Sequence, residues 1–173
     1  MKKFSSAALC ILLALCVALS AVLVLRIRED RRDESLYMKR LFSAFNDILL
    51  ETEALANDVA SEKHAEDFIF LHAALRNAAE EIEDGYRFVS EKIPSVTALW
   101  FDGKAAEISS GMAEFLSDTG ELTPHGRAFL EDLSADINAL VSPLLGADGL
   151  NLNEAIDIDE FAVALSSFYF SRR

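Results

Sequence analysis

Histidines are the first side chains in this sequence that could bind a metal or transfer a proton. There are three of them, His64, His72 and His125. On a helix, His64 and His72 would lie ~12 Å apart along the axis, which is too far to share a metal ion. The Glu-x-x-His pair typical of di-iron bundles is absent from the sequence. The histidines therefore predict neither a metal site nor a catalytic centre.

Carboxylates are the next candidates, because neighbouring acids such as Glu80-Glu81 and Glu83-Asp84 are frequent. General acid–base catalysis needs two carboxyl groups whose surroundings differ in polarity, so that their pKa values separate. In a chain with 29 Asp and Glu, such pairs arise by coincidence. We therefore interpret these acids as solvated helix faces.

The acidic stretch 148–160 has the composition of a calcium loop but not its spacing. An EF-hand loop needs Asp or Asn at positions 3 and 5 and Gly at position 6. A loop starting at Asp148 has Leu150 and Leu152 at positions 3 and 5, and one starting at Asn151 has Ile156 in place of Gly. We predict instead a last helix beginning near residue 153, capped and opened by polar residues that favour its dipole: Asn153, Asp157, Asp159 and Glu160.

No other catalytic pattern is present in the sequence. It has no glycine-rich phosphate loop, no Gly-x-Ser-x-Gly elbow and no Ser-x-x-Lys. Both cysteines, Cys10 and Cys16, lie in an apolar amino-terminal stretch, so residues 33–173 have no disulfide, zinc–thiolate site or cysteine nucleophile. The sequence predicts a protein without catalytic residues, metal or cofactor, and therefore not an enzyme.

The apolar stretch Ala7–Leu25 has 19 residues and no charge. As a helix it is ~28 Å long, close to the ~30 Å hydrocarbon core of a bilayer. A cleaved signal peptide is the alternative, with Ala18 and Ser20 before the cut, but the apolar run continues to Leu25. An uncleaved transmembrane anchor uses the whole run, and the residue before each cysteine is Leu, which disfavours lipidation.

The anchor predicts four regions along the chain. They are a short basic cytoplasmic head (1–6), a transmembrane anchor (7–25), a charged juxtamembrane segment (26–40) and an acidic helical domain (41–173). Four arginines follow the span while Lys2, Lys3 and the terminal amine precede it, so the simple charge count opposes this orientation. The layout of a short basic head, a span and one domain nevertheless favours a single-pass protein whose domain lies outside the cytoplasm.

The charge beyond the anchor restricts the possible partners. Of 29 Asp and Glu, 27 lie beyond residue 32, and of 16 Lys and Arg, six precede residue 33, leaving 10 and a net charge of −17. Such a domain repels nucleic acid and anionic lipid headgroups. Within the span, Cys10, Ala14 and Ala18 recur every four residues, a spacing compatible with a homodimer seam but also common by chance.

Apolar residues recur with helical spacing throughout the domain. The first stripe continues from a juxtamembrane segment without Pro or Gly, the second contains Gly85 and stops before Pro94, and Asp102-Gly103 predicts a turn before a shorter third helix. Thr123-Pro124 opens the fourth helix, which ends at Pro143 and Gly146. The inward positions that define the stripes are Leu41, Phe45, Ile48, Phe68, Leu71, Leu75, Ile108, Phe115, Phe129, Leu133, Ile137, Phe161, Leu165 and Phe168.

This pattern predicts an all-α protein: a single amino-terminal transmembrane helix followed by an antiparallel bundle of four or five helices. The order of the segments 41–48, 99–101, 108–117 and 122–140 resembles the amino-terminal region of the germination protein YpeB family of endospore-forming bacteria. That resemblance implies a membrane-anchored helical domain that supports a spore cortex-lytic enzyme of the SleB type. The family continues into PepSY-type repeats, which are not in this sequence, and it has no catalytic residues to carry over.

The predicted function is a non-enzymatic, single-pass membrane protein whose outer domain binds or tethers a partner, such as a cortex or cell-wall hydrolase in sporulation or germination. The alternative is a ligand-sensing helical bundle of a membrane-anchored sensor. Against that alternative, only six residues precede the span, which leaves little for a cytoplasmic output. An enzyme ranks third, because no catalytic pattern supports it.

Overall fold

Helices make up nearly all the regular structure of residues 6–57 and 64–172, which this computed structural model describes, with side chains described from residue 12 onward. Five α-helices are present there, together with a π-helical turn at Gly85–Val89 and 3-10 turns at Ser95–Thr97 and Ser142–Leu144. No strand occurs in these ranges. The prediction of an all-α bundle is therefore confirmed. The helices are α1 (Ser6–Asn57), α2 (His64–Asp84), α3 (Ala98–Phe115), α4 (Pro124–Val141) and α5 (Ile158–Ser171).

Helix α1 is a single uninterrupted helix of 52 residues, as the absence of Pro and Gly between residues 26 and 40 predicts. Its buried part begins at Tyr37 and extends to Leu55, whereas the large apolar side chains from Leu12 to Ile27 are exposed. Residues 7–11 of the predicted span lie outside the side chains that the structure describes. Among the helices of the described residues, none combines the length and the apolarity needed to cross a membrane.

The first four helices alternate in direction. The beginning of the buried part of α1 lies beside the end of α2, where Arg40 Nη2 is 3.6 Å from Glu81 Oε2. The beginning of α2 lies beside the end of α3, where Phe68 and Phe115 stack at 5.5 Å, and Phe115 also stacks on Phe129 near the start of α4. These contacts define an up-down-up-down bundle around one apolar core.

Helix α3 differs from the sequence prediction. The structure has no turn at Asp102-Gly103, and the helix runs through both residues from Ala98 to Phe115. A glycine inside a helix costs only about 1 kcal/mol relative to alanine. Burial of Phe101, Ala105 and Ile108 on one face outweighs that cost, so the predicted turn is wrong.

The end of α2 is shaped by a close approach between Gly85 and Tyr37. A Cβ atom built on Gly85 would lie 2.1 Å from Tyr37 Cζ and 2.2 Å from Tyr37 Oη. Only a residue without a Cβ atom allows the tyrosine ring to occupy this position. The helix widens to a π-turn from Gly85 to Val89 and ends there, four residues before the stop at Ile93 that Pro94 predicts.

The start of α4 is fixed by the predicted cap. Thr123 Oγ1 accepts a hydrogen bond from Gly126 N at 3.1 Å and donates to Glu114 O at 2.6 Å. The same residue therefore closes the N-terminus of α4 and joins it to the end of α3. Pro124 occupies the first turn, as the sequence predicts.

Helix α5 begins later than predicted. Its N-cap is Asp157, not Asn153, and Asp157 and Glu160 form a reciprocal capping box. Asn153 instead accepts a hydrogen bond from Ala155 N within the preceding loop. Helix α5 packs across the end of the bundle from which the exposed part of α1 projects, where Thr97 Oγ1 donates to Leu165 O.

Candidate functional site

The three histidines are separated in the structure. His64 is buried at the start of α2, with Nδ1 2.9 Å from Gly120 O, and His72 is half-buried on the same helix. His125 is exposed, 3.7 Å from a carboxylate oxygen of Glu114. The structure does not bring these side chains together, and within residues 12–57 and 64–172 no three His, Cys, Asp or Glu residues are grouped so that they could hold a metal ion.

The loop from residue 145 to 157 folds around its own acidic residue. Asp148 accepts hydrogen bonds from the backbone amides of Leu150 and Asn151 and from the Asn151 side chain. The side-chain bond from Asn151, followed by the backbone bonds, lowers the pKa of Asp148. These bonds occupy the carboxylate, so Asp148 serves as a loop clamp rather than as the first ligand of a calcium loop.

A polar groove separates this loop from α1. Its two adjoining hollows have volumes of about 720 and 750 Å³ and share Lys39, Leu152, Asn153 and Glu154. Lys39 of α1 is exposed and lines both hollows, and the second hollow also contains Glu34 of α1 and Asp157 of the loop. The groove offers a mixture of charges and amides, which suits a polar ligand but defines no reaction.

An apolar groove of about 850 Å³ lies on the other side of the loop, between α4 and α5. Its floor contains Ile156 and Phe168, and α5 contributes Val163, which is 64% exposed. Phe170 is 67% exposed and lies seven residues further along α5, only ~20° around the helix from Val163. Val163, Ser167 and Phe170 therefore form one outward stripe along α5, which we call the α5 stripe.

Charges around this groove are unequal. The charged side chains that line it are Asp159 and Glu160, and no cation lines it among the described residues. Lys92 pairs with Asp159 and so balances its charge, and Arg172 pairs with Asp136 of α4. Glu160 forms no ion pair within the described residues, so the rim presents one uncompensated negative charge beside an apolar floor.

Another exposed apolar area surrounds the π-turn. Tyr86, Val96 and Leu99 line a small hollow of about 270 Å³, and Phe88 nearby in sequence is 80% exposed. The hollow also contains Glu83 and Arg87, whose side chains pair with each other at 3.1 Å. Its charges are therefore balanced, and it is less than a third of the volume of the α4–α5 groove.

Two buried polar atoms lie near the π-turn. Tyr37 is 1% exposed, and neither its hydroxyl nor Glu81 Oε2 has a hydrogen-bond partner in the described part of the chain, although Arg40 Nη2 lies 3.6 Å from Glu81 Oε2. Burial, with a smaller contribution from the Glu81 carboxylate, raises the pKa of the Tyr37 phenol far above its usual range. This tyrosine stays neutral and has a structural position rather than a catalytic one.

The sequence analysis predicts the buried face of α5 but not the exposed α5 stripe. Phe161, Leu165 and Phe168 predict one buried face, and they are buried as expected. Val163 and Phe170 define a second apolar face, and their spacing of seven residues is the signal that could have revealed it. The spacing within α5 does not show whether another helix covers that face, because this depends on how the helices pack.

The fold and these surfaces define an all-helical bundle with two open grooves at the end where α1 enters. In comparisons with known proteins, no family model matches the chain, and no curated protein or solved structure is similar to it.

Proposed function

We propose that this is a non-enzymatic, single-pass membrane protein whose helical domain, outside the cytoplasm, binds and tethers a partner protein. The carrying observation is α1, one uninterrupted helix that has exposed apolar side chains from Leu12 to Leu25 and contributes to the buried core from Tyr37 onward. A row of exposed leucines and valines needs an apolar environment, and a bilayer supplies it. The family resemblance of the sequence supports a cortex or cell-wall hydrolase as the partner.

The continuity of α1 supports tethering at a fixed height. From Leu25 to Tyr37 the helix rises ~18 Å, so a domain built on its continuation is held at that distance from the end of the apolar segment. A partner bound there is confined to a thin layer beside the membrane. Confinement raises its effective concentration without any new contact.

The anchor is tested by placing arginines on the exposed apolar face of α1. Leu15→Arg with Leu19→Arg alters two side chains that are 56% and 69% exposed and lie within three residues of the middle of the predicted span, so the bundle core is untouched. Each charge near the centre of a bilayer costs about 2.5–3.5 kcal/mol. We expect the double variant to leave the carbonate-resistant membrane fraction, whereas Ile27→Arg, outside the predicted span, remains in it. If the double variant also stays membrane-integral, the proposed anchor is wrong.

The partner is tested by crosslinking the full tagged chain in membranes of its own cell. A cortex hydrolase from that cell should be enriched over a control in which another anchored domain carries the same tag. Protease accessibility of a tag after Arg173 tests the orientation in the same membranes. If no hydrolase is enriched under several crosslinking chemistries, the partner assignment fails.

A ligand-sensing bundle remains a second candidate because of the polar groove beside α1. Lys39, Asn46 and Asn151 line it with donors and acceptors that suit a small charged molecule. The full chain should then gain thermal stability with a small polar ligand, and Lys39→Ala should abolish the gain. An unchanged melting temperature with amino sugars and muropeptides would count against sensing of wall fragments.

A further inference from the structure

We propose that the apolar groove between α4 and α5 is the docking site for a basic amphipathic helix of the partner protein. This deepens the proposed function and rests on it, because it names the chemistry of the partner segment. The groove measures about 850 Å³, and its walls include Pro143, Ile156, Val163 and Phe168. Phe170 extends the apolar surface along α5.

The shape of the surface favours a helical occupant. From Glu160 to Ser171 the outer face of α5 extends ~16 Å, about three helical turns. A helix in such a groove inserts side chains at i, i+3 or i+4, and i+7, a span of ~10 Å. Helices form most of the groove lining, and their interior backbone groups are already hydrogen-bonded. The amides of the loop residues Asn153 and Ile156 donate to Leu144 O and Asn153 O, so the lining offers no edge to which a strand could be added.

The charge of the surface favours a basic occupant over a second copy of this chain. Of the two acids that line the groove, Asp159 is paired with Lys92, whereas Glu160 forms no ion pair within the described residues and is left to attract a cation. A second copy would bring a domain of net charge −17 against the same acidic rim. Like charges at an interface oppose association, whereas lysines or arginines flanking the apolar anchors would complement the rim.

An anionic lipid surface is disfavoured at this position. The polar hollow that shares Asn153, Ile156 and Asp159 with this groove reaches α1 at Arg31 and Glu34, so the groove lies near the part of α1 that leaves the proposed anchor. The acidic lining and the net charge of −17 of the domain repel anionic headgroups there. Binding to lipid is therefore measured separately in the test.

The test uses the full chain in phosphatidylcholine nanodiscs and alanine-based fluorescent peptides about 18 residues long, a length that can form a helix on binding. The first peptide set has leucine, isoleucine or phenylalanine anchors at i, i+3 and i+7, flanked by lysines. The second set replaces the lysines with glutamates, and the third replaces the anchors with alanines. Empty nanodiscs measure the binding to lipid, which is subtracted.

We expect saturable binding of the lysine peptides, weakened by salt, and weaker binding of the other two sets. Val163→Ser with Phe170→Ser should lower the affinity for the lysine peptides by ~10-fold or more, because truncation of central apolar anchors has effects of this size. Phe88→Ser and Leu150→Ser, at side chains 80% and 75% exposed, are the matched controls and should leave binding unchanged. No saturable binding in any lysine set, or equal loss in the controls, would overturn the proposal.

The same variants separate this inference from the proposed function. If the hydrolase is enriched equally by wild type and by Val163→Ser with Phe170→Ser, the partner binds elsewhere and the groove proposal falls while tethering stands. If the peptides bind at the groove but no hydrolase is enriched, the groove proposal stands and the partner assignment falls.

Discussion

Replacing Gly85 by alanine tests the close approach that shapes the end of α2. The new Cβ atom would lie 2.1 Å from Tyr37 Cζ, well inside contact distance, and the ring it meets is 1% exposed and rigid. Overpacking of a core costs about 1–3 kcal/mol, and a rigid buried ring belongs at the upper end of that range. The higher helix propensity of alanine offsets about 1 kcal/mol. We therefore expect Gly85→Ala to lower the free energy of unfolding by about 2 kcal/mol.

Gly103→Ala is the matched control, because it makes the same substitution in α3 where a Cβ atom meets nothing within 4 Å. It should raise the free energy of unfolding by about 1 kcal/mol through helix propensity alone. Urea unfolding of the full chain in detergent measures both, with the fluorescence of Trp100 as the probe. Trp100 is the single tryptophan and packs edge-on against Phe101 and Phe168, so its emission follows the core.

A double-mutant cycle identifies the tyrosine ring as the cause. Tyr37→Leu removes the distal ring atoms that the Cβ atom of residue 85 would meet, at the cost of a cavity. In that background Gly85→Ala should lose most of its penalty, a coupling of about 1–2 kcal/mol. The reasoning is refuted if Gly85→Ala is as stable as wild type, or if its cost is the same with leucine at position 37.

Three further predictions concern caps and the buried phenol. Thr123→Ala should lower the free energy of unfolding by about 1–2 kcal/mol, whereas Thr123→Ser keeps the hydroxyl and most of the stability; equal losses would contradict the capping role. Asp157→Ala should cost about 1 kcal/mol by removing the capping box of α5, with Asp157→Asn less damaging in the same urea titration. Burial raises the pKa of the Tyr37 phenol, so the folded state keeps this proton at pH values above ~10, the pKa of tyrosine in the unfolded chain. The contribution of the phenol to the free energy of unfolding is therefore complete below pH ~10. The free energy of unfolding should fall as pH rises above ~10, by up to ~1.4 kcal/mol per pH unit, and Tyr37→Phe should remove this part of the pH dependence. If the pH dependence is unchanged in Tyr37→Phe, the phenol is not its source.

Some of the fold follows from short stretches of sequence. The stripe spacing predicts α1 and α2, and Thr123-Pro124 predicts the start of α4 to the residue, because a cap needs only neighbouring groups. The start of α5 is missed by five residues because two polar residues, Asn153 and Asp157, could each cap a helix. Asn153 accepts a hydrogen bond within the loop, whereas Asp157 lies at the helix start because the next residue, Ile158, is buried.

The candidate sites were much less predictable than the helices. Sequence reasoning finds no catalytic residues and expects a binding surface without locating it. The α4–α5 groove exists because α5 packs on Thr97 and Trp100, which leaves Val163 and Phe170 outward. That arrangement joins segments more than 60 residues apart in the chain, and no local spacing encodes it.

The sequence by itself determined the helical class, the apolar stretch from Ala7 to Leu25, the acidic charge of the domain and the absence of cysteine chemistry beyond that stretch. These properties depend on residue type and on spacing within a few turns. Only the tertiary structure decided that Asp102-Gly103 stays helical, that Gly85 lies against Tyr37 and that an acidic apolar groove opens beside α5. Each of those depends on which distant side chain is packed against the residue, and therefore on the free energy of burial rather than on local propensity.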